Sequence, residues 1–203
     1  MGIFDSLKRQ AVSALKREAS KTLNNAVNDA VQAVGKGRNH KETFTFASLP
    51  INAAQLRALP EASLDSAYKT TALTILALCR YEHQPADAIE MLNFLKGPAP
   101  LSTYEKNFIE ERMRGMKYKA RSFLAGATPE NGYKPTVPYS VTVSATPYSF
   151  DNENWATLYV TSGGSDNPRP IKLRKKPSTG QWFLNDIQCL ADIRVPTEED
   201  PWA

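Results

Sequence analysis

Cys79 and His83 stand four residues apart in a stretch of helical composition, which puts a thiol and an imidazole on one helix face, where they would supply two zinc ligands. A closed zinc site needs four. The chain has two cysteines and two histidines, with no Cys-x-x-Cys pair, and His40 lies in a polar joint. The expectation is therefore a buried thiol beside a helix-end histidine. Nucleophilic catalysis by Cys79 or Cys189 would need a thiolate activated in an electropositive pocket, and no residues near Cys189 in sequence provide one. Glu110 and Glu111 are adjacent on a helix and diverge, so they cannot share a substrate. Glu198, Glu199 and Asp200 read as a solvated tail, and Asp186 sits among strand residues. No glycine-rich phosphate loop is present, and Ser162-Gly163-Gly164-Ser165 reads as a turn. No catalytic residue, metal ligand, cofactor or small-molecule ligand is assigned from these patterns, and an enzyme of unknown reaction stays the second alternative.

Two basic clusters have the residue types for polyanion binding. Arg112, Arg114, Lys117, Lys119 and Arg121 are interleaved with Tyr118 and Phe123, and Lys172, Arg174, Lys175 and Lys176 form a second group. Nucleic-acid binding would need them to merge into one stripe with exposed aromatics. The distribution of charge argues against it. Of the net +4, residues 1–41 carry eight Lys/Arg against three acids, a net +5, and the other 162 residues carry 17 basic and 18 acidic groups, a net −1. A nearly neutral domain projects no large positive field. Nucleic acid is not favoured, and both clusters are expected to be solvated surface.

The charge excess belongs to residues 1–34, which predict one long amphipathic helix. Proline is absent there, glycine occurs only at Gly2, and Gly35 and Gly37 end the pattern. Ile3, Phe4 and Leu7 form an apolar tip, continued by Ala11, Leu15 and Leu23 and flanked by Lys8, Arg9, Lys16, Arg17 and Lys21. The stripe recurs nearer 11 residues per three turns than seven per two, which disfavours an ordinary left-handed coiled coil. It is too thin to form a core alone. It is expected to contact a protein partner or another copy of the chain; a shallow apolar face with basic flanks also suits an anionic membrane surface, the alternative, and packing on its own domain is the third possibility. Met1-Gly2 with Ser6 fits a myristoylation pattern, read as accidental.

Asp5, Lys8 and Arg9 interrupt the roughly 7–15 apolar residues a secretory signal needs, and the most apolar stretch, Ala72–Cys79, falls far short of the roughly 20 residues of a spanning helix. Two cysteines 110 positions apart suit free thiols. The chain reads as cytoplasmic, with the inner face of the membrane as its alternative location.

The remaining elements follow from caps and periodicity. Residues 35–47 read as a polar linker, with Phe44 and Phe46 alternating so that a short strand would begin the domain there. Residues 50–125 read as helical: Asn52 and Gln55 cap a short helix, Ser63 caps a central helix from Leu64 to about Glu82, Pro85 opens a helix closed by Gly97, and Ser102 with Glu105 forms a capping box for a helix to about Arg114 that turns Phe108, Ile109 and Met113 inward. After the Pro-rich run 127–138, strands are expected at Tyr139–Ser144, Trp155–Thr161, Ile171–Lys175 and Trp182–Cys189. Short links favour an antiparallel meander with one wet face. The fold class is α+β: a helical layer on a four-stranded antiparallel sheet, residues 48–203, preceded by the basic helix and ending in a tail at 191–203. Trp202 in that tail is expected to dock back onto the domain, with presentation to a partner as its other use.

Gly126-Ala127-Thr128-Pro129-Glu130-Asn131-Gly132-Tyr133, Pro170-Ile171-Lys172-Leu173-Arg174, Gly180-Gln181-Trp182-Phe183-Leu184 and Asp200-Pro201-Trp202-Ala203 together resemble an uncharacterised bacterial domain family of unknown function, over roughly residues 45–203. The resemblance implies a bacterial cytosolic setting and brings no catalytic residues with it. A non-enzymatic interaction or scaffolding module is the resulting expectation.

Overall fold

A computed structural model describes residues 39–202. The helix expected over residues 1–34 lies outside the described residues.

The chain enters the domain through strand β1 (His40–Phe46), so the expected linker is corrected over these seven residues, and the sheet has five strands where four were expected. His40-Lys41-Glu42-Thr43 looks like joint because β1 is an edge strand. Lys41, Thr43 and Thr45 face water while Phe44 is half-buried and Phe46 is buried, and polar edges are the usual protection against stray pairing.

The helical layer follows. Helix α1 (Ala53–Ala58) starts at Asn52, whose side chain accepts from the Gln55 backbone N–H at 2.9 Å. The Gln55 side chain reaches back to Ile51 N rather than to Asn52, shifting the expected box by one residue. A 3₁₀ turn over Pro60–Ser63 leads to Leu64 in left-handed geometry at φ 55. Leu64 therefore does not open the central helix: its side chain fills the core and its carbonyl accepts from Trp182 N at 2.7 Å. Helix α2 (Ala67–Tyr81) begins instead from Ser66, which accepts from Tyr68 N.

As its apolar surround implies, α2 is buried from Ala67 to Cys79 except at Lys69. Its buried hydroxyls are satisfied locally, Thr71 donating to the Ala67 carbonyl at 2.9 Å and Thr74 to that of Thr70 at 2.8 Å, so they escape most of the cost of unpaired burial. Thr70 donates across the layer to the Trp182 carbonyl at 2.8 Å. Helix α3 (Pro85–Lys96) opens on proline and stops at Gly97, φ 62. Helix α4 (Thr103–Met113) carries the complete Ser102–Glu105 capping box and buries Ile109 and Met113, with Phe108 half-buried. A single turn, α5 (Tyr118–Arg121), ends the layer.

Strands β2 (Tyr139–Ala145), β3 (Trp155–Val160), β4 (Arg169–Lys176) and β5 (Gln181–Ile187) complete an antiparallel sheet in the order β1-β2-β3-β4-β5. Helix α2 packs across all five strands. Beneath it Val141, Val143, Leu158, Val160, Ile171, Leu173 and Trp182 form the sheet side of one core cluster running from Phe46 to Ile193.

β2 and β3 pair only at Val143↔Val160 and Ser144↔Tyr159, and beyond that point the residue 122–128 loop bonds both chains. Ala125 N donates to the Ser140 carbonyl at 2.9 Å and Gly163 N to that of Ser122 at 2.8 Å. The motif run supports this loop. Asn131 donates to the Gly126 carbonyl at 2.7 Å, and the Tyr133 hydroxyl donates to that of Arg194 at 2.7 Å. These motif residues are structural in effect.

Candidate functional site

Alternation along the last three strands sends one set of side chains into the core and the other onto the outer sheet face. Cross-strand register then assembles what is far apart in sequence. Trp155 pairs with Arg174, and Arg174 pairs with Phe183. The three make a row of ring, guanidinium and ring across β3, β4 and β5, with the guanidinium carbon 5.1 Å from the Trp155 ring centre. Such stacking fixes the guanidinium plane and leaves its N–H edge free for an anion.

The β5 end of the row is closed by the turn after α3. Gly97 lies so close to Phe183 that a Cβ there would stand 2.3 Å from a ring carbon. Pro98 and Ala99 continue past the ring, leaving a groove of about 280 Å³ between them, Arg174, Lys176, Phe183 and Asn185. On the other side of Asn185 a wider polar hollow of about 590 Å³ meets Trp155, Thr157, Lys172 and Asp186. Asn185 joins the two because β5 carries one extra residue there: Leu173 pairs with Leu184, but Lys172 pairs with Asp186.

Lys96 also lines the groove, but its charge is used internally. Its Nζ donates to Glu105 at 2.5 Å and to the Asn185 carbonyl at 3.0 Å. Burial raises the Glu105 pKa, yet the Lys96 and Ser102 hydrogen bonds outweigh that and hold the carboxyl below its ordinary value. Arg174 and Lys176 are exposed cations of the groove, and the half-buried Lys175, whose ammonium lies over the Trp182 ring, also lines it. Chemically this is a recess for an anionic group beside an aromatic or apolar one.

The other candidates separate. Cys79 is buried in α2, whereas the helix stops at Tyr81 and His83 is exposed beyond it, so the i, i+4 pair does not share a helix face. Burial pushes both the Cys79 and the Cys189 thiols up to about 12, far from thiolate at neutral pH. Among the described residues no three of His, Cys, Asp and Glu gather as a metal site, and no helix is long and apolar enough to cross a membrane.

The first basic cluster does not gather into one site. Arg112, Arg114 and Lys117 are solvent-exposed as expected, Arg114 pairing with Glu110 at 2.6 Å and Arg112 covering the Phe108 ring, and Arg121 pairs with Glu82 at 3.2 Å; Lys119 is buried, which corrects its expectation as solvated surface. Ile3, Phe4, Leu7, Lys8, Arg9, Ala11, Leu15, Lys16, Arg17, Lys21 and Leu23 lie outside the described residues. Trp202 corrects its expectation: it is 93% exposed, not docked on the domain.

In the sequence Trp155 and Phe183 read only as strand formers. Their signal was the outward parity of each strand, which becomes a site only once the strand order is known.

The architecture defines an α+β domain, a helical layer on a five-stranded antiparallel sheet with a shallow basic and aromatic groove. By sequence the chain belongs to the family described as domain of unknown function DUF6935, whose model matches residues 48–197, in keeping with the resemblance noted over roughly 45–203. No curated protein and no solved structure matches it.

Proposed function

We propose that the protein is a non-enzymatic interaction module that associates with a protein partner or with its own copies through residues 1–34. The observation that carries this reading is the division of apolar surface and charge. The described residues supply a core of their own between Phe46 and Ile193, while residues 1–41 hold a net +5 and an apolar stripe through Ile3, Phe4, Leu7, Ala11, Leu15 and Leu23. A helix of that composition gains stability by laying its stripe on another surface. The folded domain is then the cargo or scaffold that the segment places.

The test compares the full chain with a chain beginning at Arg38, by light-scattering mass at low micromolar concentration, by co-purified partner and by flotation with anionic phosphatidylglycerol vesicles. Removal of residues 1–37 is expected to lower the oligomer mass or release the partner, with neither chain floating. Identical masses and partners would sink the proposal. Flotation of the full chain alone would replace it with the membrane-surface reading, which Ile3, Phe4 and Leu7 beside Lys8 and Arg9 favour on composition.

A further inference from the structure

The domain exposes two features of opposite character that fit each other. One is the groove, where Arg174 and Lys176 stand beside Phe183, Pro98 and Ala99. The other is the segment Glu198-Glu199-Asp200-Pro201-Trp202, which joins three carboxylates to the most exposed large apolar side chain among the described residues. An indole is the side chain with the largest apolar surface to gain from burial, and its face is the best partner for a guanidinium. We infer that the acidic, tryptophan-bearing segment of one copy docks in the basic groove of a second copy, its indole against Phe183 and Pro98 and its carboxylates at Arg174 and Lys176.

The anchoring of the segment argues against the same contact within one chain. The segment leaves the domain at the β3–β4 turn. There Arg169 binds Asp192 at 2.9 Å, Arg194 N donates to the Gly164 carbonyl at 2.9 Å, and the Arg194 guanidinium pairs with Asp166. Its 3₁₀ turn, Thr197–Glu199, then packs on the turn at Pro129–Asn131. The groove lies at the opposite end of β4. From Arg169 to Arg174 and Lys176 is five to seven strand residues, roughly 17–23 Å at about 3.3 Å each. The three residues after the anchored turn reach about 10 Å at full extension. A second copy has no such limit. The contact joins two different patches, so it either closes by reciprocal exchange of segments between two copies or propagates head to tail. Five residues bury too little for a permanent dimer, which places the contact in the weak, salt-sensitive class.

The experiment uses the full chain carrying Trp202→Ala, with a fluorescent peptide of residues 197–203 titrated in and anisotropy as the readout. Saturable binding is expected, weakened at least tenfold by Arg174→Glu with Lys176→Glu in the chain, and equally by replacing the peptide's tryptophan with alanine. Both cations are exposed, so far-UV circular dichroism and the urea midpoint should match the parent. A peptide with its three acids changed to lysine should regain binding to the doubly acidic chain. Absence of saturable binding, or binding indifferent to the Arg174 and Lys176 changes, overturns the inference. This contact is independent of residues 1–34. Failure of the peptide titration leaves the mass change on removing those residues as it was, and the converse also holds.

Discussion

Glu105 performs three tasks with one carboxylate. It caps α4 by accepting from Ser102 N at 2.8 Å, accepts the Ser102 hydroxyl at 2.7 Å, and neutralises the buried ammonium of Lys96 at 2.5 Å. Replacing it with alanine removes the box and strands a nearly buried charge. Glu105→Ala is expected to cost about 2–4 kcal/mol in urea unfolding. Because the folded pKa of Glu105 is lowered, its contribution is complete above the ordinary glutamate value of about 4.3 and is lost as pH falls through the lower folded value. The urea midpoint of the parent should drop over that acidic window more than that of Glu105→Gln. Cys79 and Cys189 give the second prediction at this scale. With both buried thiols raised to about 12, neither should react with a thiol-specific disulfide reagent at pH 8 in the native chain, and both should react in guanidinium. Rapid labelling of either native thiol would contradict their burial.

At the scale of elements, the junction of β2 and β3 depends on close backbone approach. Gly163 sits where a Cβ would lie 1.9 Å from the Ala127 carbonyl oxygen. That oxygen belongs to backbone, so the loop must move to make room. Gly163→Ala is expected to lower stability by about 1–3 kcal/mol, as overpacking does, measured by the urea midpoint. A substitution without effect would mean that the residue 122–128 loop is not held against β3. The elements also show which signals were local. The Ser102–Glu105 box, the Pro85 start, the Gly97 stop and the last four strands were legible, because a cap, a proline, a glycine and a two-residue alternation act within a few residues of chain. Ser63 was misread as the cap of the central helix because Leu64 takes left-handed geometry to meet Trp182, a partner 118 positions away. β1 was half-legible: Phe44 and Phe46 alternate, but the preceding polar residues gain strand geometry only from pairing with β2, His40 opposite Ala145 through Phe46 opposite Tyr139.

At the scale of the molecule, a domain with its own core should not need the basic segment to fold. The chain beginning at Arg38 is expected to unfold in one transition at the urea midpoint of the full chain measured at low micromolar concentration. A large loss of stability would mean that residues 1–34 pack on the domain and are not free for a partner. By itself the sequence determined the α+β class, the Pro85 start, the Gly97 stop and the Ser102–Glu105 box, the last four strands, the separation of charge and the family resemblance, because each depends on composition or on neighbours along the chain. Tertiary structure alone decided that β1 closes one side of the sheet, that Lys96 spends its charge on Glu105 and Asn185, and that Trp155, Arg174 and Phe183 share one face. It also decided that Trp202 stands in water. These are long-range facts, set by which strands become neighbours and what their register brings opposite, and no local propensity encodes them.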